Sequence, residues 1–143
     1  MNKMEIIFDS KLENIKFARS CAVMFLHDLN LTLGFANEVK TIVSEAVTNS
    51  IIHGYNYKED QKVYLKMEYD DELIKIYIID HGIGIKDIKL AMMPTYSTLS
   101  SEERSGLGFT IIDIFSDKLN ISSEYGKTVV EVSKKIKRDE ECD

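Results

Sequence analysis

Glu45-Ala46-Val47-Thr48-Asn49-Ser50-Ile51-Ile52-His53-Gly54 decides how this chain is read. Val39, Ile42, Val43, Ala46 and Ser50 recur at three- and four-residue spacing, which predicts a helix from about Phe35 to His53. Gly54 supplies its stop. Glu45, Asn49 and His53 lie four apart, so they drift about 40° per step and form one polar row at the edge of the inward stripe. A carboxylate and an amide held there can bind a hydrated cation and polarise a hydroxyl. Read alone, the row is an ordinary polar helix flank with i,i+4 pairs.

Upstream, Met4 to Asp9 reads as a strand and Leu12 to Leu29 as a helix, with Ser10 placed to cap it. Its inward positions are Ile15, Ala18, Ala22, Phe25, Leu26 and Leu29. Val23 and Met24 fall on the other side, either as incidental apolar residues or as part of a partner surface. Downstream, Lys62 to Tyr69 and Leu73 to Ile79 read as a hairpin turned at Asp70-Asp71. The second of these strands is almost continuously apolar, which predicts a central, covered position.

That strand runs into Ile78-Ile79-Asp80-His81-Gly82-Ile83-Gly84-Ile85. An acid at the end of a buried strand can accept a hydrogen bond from an exocyclic amine such as that of adenine. Gly82 and Gly84 let a base or phosphate approach the backbone. A loop turn with a capping Asp has the same residues. No Gly-Lys-Ser/Thr follows and no βαβ unit surrounds it, so this is neither a Walker A loop nor a dinucleotide fingerprint.

The stretch Lys86 to Ser105 holds the only proline, Pro94, and a Ser/Thr/Glu-rich run from Thr95. A loop this long in a small domain is usually functional or mobile. Arg104-Ser105-Gly106-Leu107-Gly108-Phe109 then opens a helix reaching Phe115. Glycines there leave backbone N–H groups free for an anion, and Arg104 adds positive charge. A helix start that is merely glycine-rich is the other reading. Strands at Lys118 to Glu124 and Thr128 to Ile136 follow, then a charged tail from Lys137.

The order β-α-α-β-β-loop-α-β-β predicts an α+β, two-layer sandwich: one domain over residues 1–143, a mixed sheet with helices on one face. A net charge of −6 gives no electrostatic reason to bind nucleic acid. Two cysteines, Cys21 and Cys142, make neither a disulfide framework nor a zinc site. With no signal peptide and no apolar run near the ~18 residues of a membrane span, the expected location is the cytoplasm.

Taken together, the three polar motifs resemble those of the GHKL superfamily of ATP-binding proteins. Glu45 to Gly54 is similar to its N box, Asp80 to Ile85 to its first glycine box, and Gly106 to Phe109 to its second. Val43 to Asn49, Ile52-His53-Gly54-Tyr55-Asn56, Phe17-Ala18-Arg19 and Glu103 to Thr110 further resemble the sporulation anti-sigma-F group. The resemblance covers almost the whole chain and implies the Bergerat fold, with ATP and magnesium as cofactors. It implies that Asn49 ligates magnesium and that Glu45 is the catalytic base. Asp80 would read the adenine amine, with Gly82 and Gly84 flooring the base pocket. Gly106, Leu107 and Gly108 would offer N–H groups to the phosphates, under a lid from Thr95 to Ser105 that brings Arg104 near them. Leu99 departs from the pattern, because relatives often carry a basic residue there.

The resemblance also implies partners. A homodimer would hold one sigma factor, and an anti-anti-sigma protein would receive phosphate on a serine. Arg19 would touch both; by spacing alone it is a solvated charge at the flank of the apolar stripe. Two other functions fit the same boxes. One is the ATP-binding domain of a histidine kinase, although His27 is the sole histidine upstream of the N box and reads as a helix-surface residue. The other is a nucleotide-gated, sigma-sequestering protein without phosphate transfer, for which Glu45 would have no use.

Overall fold

The computed structural model describes residues 1–85 and 105–138, with the backbone only for 105–108. Strand β1 (Asn2–Asp9) leads into helix α1 (Asn14–Phe25), a 3₁₀ turn (His27–Leu29) and helix α2 (Leu33–Asn49). A π turn (Ser50–Gly54), strands β2 (Lys62–Tyr69) and β3 (Leu73–Asp80), helix α3 (Ser105–Phe115) and strands β4 (Lys118–Glu124) and β5 (Lys127–Lys135) complete the described chain. The segment expected to form the lid, with Leu99 and Arg104, lies outside the described residues, as do Pro94 and Cys142.

The five strands lie in the order β1-β2-β3-β5-β4, and every neighbouring pair is antiparallel. The expectation of a mixed sheet is therefore corrected. β3 and β4 do run in the same direction, joined through α3, but β5 folds back between them and leaves no parallel pair among the described residues. Two successive helices between β1 and β2 return the chain to the end it left, so that pair is antiparallel too.

Alternation along the strands sets the core. Val63, Leu65 and Met67 of β2, Ile74, Ile76 and Ile78 of β3, and Val130 and Val132 of β5 are buried on one face. Val39, Ile42, Val43, Ala46 and Val47 of α2 are buried with them. α2 packs between α1 and α3. Ala18 and Ala22, four apart and fully buried, give α1 a small-residue seam. β3 is central, as its apolar run predicts, but helices cover only one of its faces. Lys75, Tyr77 and Ile79 on the other are partly exposed.

The inner rows end in polar residues. At one end Asp80 on β3 lies opposite Thr128 on β5, both buried. At the other, Lys134 of β5 is 5% exposed, and its Nζ lies 2.5 Å from Glu38 Oε2 and 2.5 Å from the Phe115 carbonyl. The ammonium thus neutralises the negative end of α3 and ties it to α2.

Local boundaries differ from the sequence reading for identifiable reasons. Ser10 does not cap α1. It is fully buried and its hydroxyl donates to the Lys58 carbonyl and accepts from the Gln61 N–H, stitching β1 to the turn before β2. Thr32, at the start of α2, is a true cap, accepting from the Phe35 N–H at 3.1 Å. Among the described residues no helix is long and apolar enough to cross a membrane.

Candidate functional site

The site grows from the last turn of α2. Val47 and Ala46 are buried in the core, which sets the rotation of the helix and leaves Glu45 half-buried and Asn49 7% exposed at the edge of the apolar stripe. Among the described residues Asn49 Nδ2 has no hydrogen-bond partner. A buried polar group left open costs about 1–3 kcal/mol, and a ligand supplying the missing partner would offset it. Burial pushes the Glu45 carboxyl above its ordinary range, with no described charge or hydrogen bond to counter it. Such a carboxyl is a better proton acceptor than a solvated one.

Beyond Asn49 the helix widens. The Tyr55 N–H reaches the Ser50 carbonyl and the Tyr57 N–H the Ile51 carbonyl, both at 3.0 Å. Single π turns of this kind recur at functional sites. Asn56 and Tyr57 follow with φ of 51° and 65°, a left-handed pair that L residues other than Asn, Asp and Gly adopt at some cost. His53 lies within the π turn, past the end of α2. It lines an open cleft of about 510 Å³ with Tyr55, Lys58, His81 and Tyr125. Asn49 and Asp80 are not among the described walls of that cleft.

The turn delivers Gly54 onto the end of β3. A Cβ on Gly54 would stand 2.7 Å from Asp80 Oδ1, and one on Gly82 would stand 2.0 Å from the Gly54 carbonyl oxygen. That carbonyl accepts the Ile83 N–H at 3.0 Å. Glycine is therefore required at both positions for the two segments to touch. Asp80 is 2% exposed. Its Oδ1 accepts the Gly82 N–H at 3.0 Å. Burial raises its carboxyl above the ordinary range, opposed by the Gly82 N–H, a bond from Ser50 and the charge of His81.

Gly84, at φ 85°, turns the chain toward β4, where the Ile85 N–H donates to Ser123 Oγ at 2.7 Å. Ser123 Oγ lies 2.9 Å from Thr128 Oγ1. An acid and the hydroxyls of Ser123 and Thr128 thus collect where the end of β3 meets the β4–β5 hairpin. A carboxyl with spare lone pairs, set among hydroxyls at the end of an apolar row, suits a heterocycle bearing an exocyclic amine.

The sequence-chosen residues divide as follows. Glu45 and Asn49 share the last two turns of α2, and Ser50 bonds α2's end to Asp80. Gly82 and Gly84 sit in the loop after β3, close against Gly54 and Glu124, and the Gly82 N–H bonds Asp80. Gly106, Leu107 and Gly108 are in the first turn of α3, which packs against α2. Arg19 stands apart on α1, partly exposed. Ser50, Tyr55, Ser123 and Thr128 were not singled out by sequence. For Thr128 the available signal was its place opposite Asp80, which needs the strand register.

The open atom of Asn49 is an N–H donor, which calls for an acceptor such as a phosphate oxygen, whereas a magnesium ion would take the Asn49 amide oxygen. Among the described residues no group of three or more His, Cys, Asp or Glu could hold a metal. An ion here would depend on Asn49 and on oxygens brought by the ligand and water.

The chain has known relatives. A family model described as a histidine kinase-like ATPase domain matches residues 8–134. The anti-sigma F factor of Clostridium beijerinckii is 48% identical over 136 residues, covering 94% of this chain and 95% of that protein. That of Oceanobacillus iheyensis is 44% identical over 138 residues, covering 96% and 94%. Among solved structures, the RsbU and RsbW domains of a Mycobacterium tuberculosis protein match with a TM-score of 0.70 at 13% identity, over 96% of this chain and 33% of that one. The mycobacterial sensor histidine kinase MprB matches with a TM-score of 0.59 at 14% identity, over 95% and 100%. At such identities the structural likenesses speak to the fold alone.

Proposed function

The chain belongs to the histidine kinase-like ATPase family and, within it, to the anti-sigma F factors, and from that premise we propose that it binds a sigma factor and uses Mg-ATP to phosphorylate a serine of an anti-anti-sigma partner. The observation that carries the catalytic part is the half-buried Glu45, one turn before an amide with an unused donor, on a helix whose end bonds to Asp80.

Each residue has a distinct task in this reading. Asp80 accepts the adenine amine; its two fixed bonds, from Gly82 and Ser50, leave it lone pairs to do so. Asn49 would hold magnesium through its amide oxygen, and the ion would supply positive charge to the nucleotide's phosphates. Glu45 takes the proton of the attacking serine hydroxyl. The N–H groups of Gly106, Leu107 and Gly108 face phosphate oxygens at the positive end of α3, and Arg104 adds charge from the lid. Burial serves the first and third tasks in opposite ways: it makes Glu45 a stronger base, and it leaves Asp80 a desolvated acceptor whose bond to a ligand is strong.

Sigma binding and kinase substrate both fall to α1 in this reading. Arg19 lies on that helix, and Phe17 and Met24 on its outward side are 51% and 71% exposed. Sigma and anti-anti-sigma would then compete for one surface, on a cytoplasmic homodimer. Glu45 favours a kinase over a protein that only sequesters sigma, because binding alone has no need of a base.

The test is transfer of γ-labelled phosphate from ATP to a purified anti-anti-sigma protein. Label on a partner serine, dependent on magnesium, is expected. ATP bound but never transferred, with sigma still retained, would favour the sequestering reading.

A further inference from the structure

Tyr55 is 5% exposed, yet its hydroxyl is used twice. It donates to the carbonyl of Lys62, the first residue of β2, and accepts the His81 N–H at 2.7 Å. The His81 nitrogen belongs to the peptide that leaves Asp80, so this bond fixes that peptide's orientation. The neighbouring Gly54 carbonyl holds Ile83 N–H at 3.0 Å, two residues on. The Gly54-Tyr55 dipeptide therefore grips the strand-end loop on both sides of Gly82, whose own N–H is taken by Asp80 Oδ1. The dipeptide is in turn placed by the π turn, through Tyr55 N–H to the Ser50 carbonyl. Ser50 also bonds the Asp80 carboxyl.

We infer that Tyr55 is a positioning residue for base selection: its hydroxyl holds the loop so that the Asp80 carboxyl meets a 6-amino purine and rejects a 6-oxo purine. The inference rests on the reading of Asp80 as the acceptor of the base amine. A plain core tyrosine would fill space without this bond, and its hydroxyl would matter little to which base is bound. Here the hydroxyl joins the residue after the acid to the first residue of β2, so removing it leaves a buried N–H open and frees the loop. Side chains that touch no ligand act in this way when they lock those that do.

The experiment compares binding of Mg-ATP and Mg-ITP by wild type and Tyr55→Phe, with a denaturation curve for each protein. Wild type should prefer ATP. Tyr55→Phe should bind ATP about tenfold more weakly and ITP within about twofold of wild type, so the ratio falls while the turnover at saturating ATP stays put. Equal loss of both nucleotides, or an unchanged ratio, overturns the proposal and leaves Asp80's role intact. A wild type that binds ATP and ITP alike overturns the Asp80 reading and this inference with it. Should Tyr55→Phe not fold, fluorotyrosine incorporated at Tyr55, which keeps the ring and hydroxyl but makes its oxygen a weaker acceptor, should lower the ratio in the same direction, and an unchanged ratio there equally overturns the proposal.

Discussion

Glu45→Gln should bind Mg-ATP within about twofold of wild type and transfer phosphate about 10²–10⁴-fold more slowly. The amide keeps the size and polarity of the side chain, so the half-buried site at the edge of the α2 stripe stays filled. What is lost is a group able to take a proton. Because burial raises Glu45 above the ordinary carboxylate range, wild-type transfer should rise with pH through that raised value, as the carboxyl ionises. The variant should lack this limb. Single-turnover transfer measured from acid to neutral pH checks both statements. A variant that transfers at the wild-type rate would remove Glu45 from the chemistry and leave the partner hydroxyl to be activated by something else.

Asp80→Asn should bind ATP about 10–100-fold more weakly, the range expected when a buried hydrogen bond loses its charge. The same substitution should stabilise the nucleotide-free protein. Burial raises the Asp80 carboxyl, so the folded protein holds that proton more tightly than the unfolded chain. The stability that protonation brings is complete below the unfolded value of 3.8 and is lost as pH rises through the raised folded value. At neutral pH the wild type therefore carries a buried charge that the amide does not, worth on the order of 1 kcal/mol. Urea titrations should show Asp80→Asn ahead at pH 7, with the gap closing as the pH falls toward the carboxylate range. The pattern fits a site that holds a desolvated acceptor at some cost to the empty fold.

The two outcomes separate binding from chemistry along one helix and one strand end. Asp80 and Glu45 are both carboxyls raised by burial, but their neighbours differ. Ser50 and the Gly82 N–H bond Asp80 and hold it in place as an acceptor. Among the described residues only desolvation acts on Glu45. A fixed acceptor suits recognition of a base, and an unengaged carboxyl suits a proton that arrives with the substrate.

Much of this was legible in the sequence because it is local. The α2 stripe is set by helical spacing, and the Asp80 loop by an acid and two glycines following an apolar strand. Both sit where spacing placed them. Properties that depend on distant pairing were not legible. Thr128 gains its interest only when β5 slots between β3 and β4 and faces it to Asp80, the same insertion that makes the sheet antiparallel throughout. The smooth helix expected through His53 gives way at Ser50 because Gly54 must reach Asp80, a contact that helical periodicity does not encode. Tyr55 was quoted only as part of a resemblance, since its hydrogen bonds to Lys62 and His81 span 7 and 26 residues. Ser10 looked like a helix cap and is a buried stitch to a turn about 50 residues away.

The central claim is that the end of α2 and the end of β3 together hold Mg-ATP. Isothermal titration of ATP into wild type and Asn49→Ala, with magnesium and with a chelator, tests it most directly. Wild type should bind ATP more tightly with magnesium, and Asn49→Ala should lose that dependence while remaining folded. A wild type that binds no ATP, or an Asn49→Ala protein whose magnesium dependence is unchanged, would contradict it.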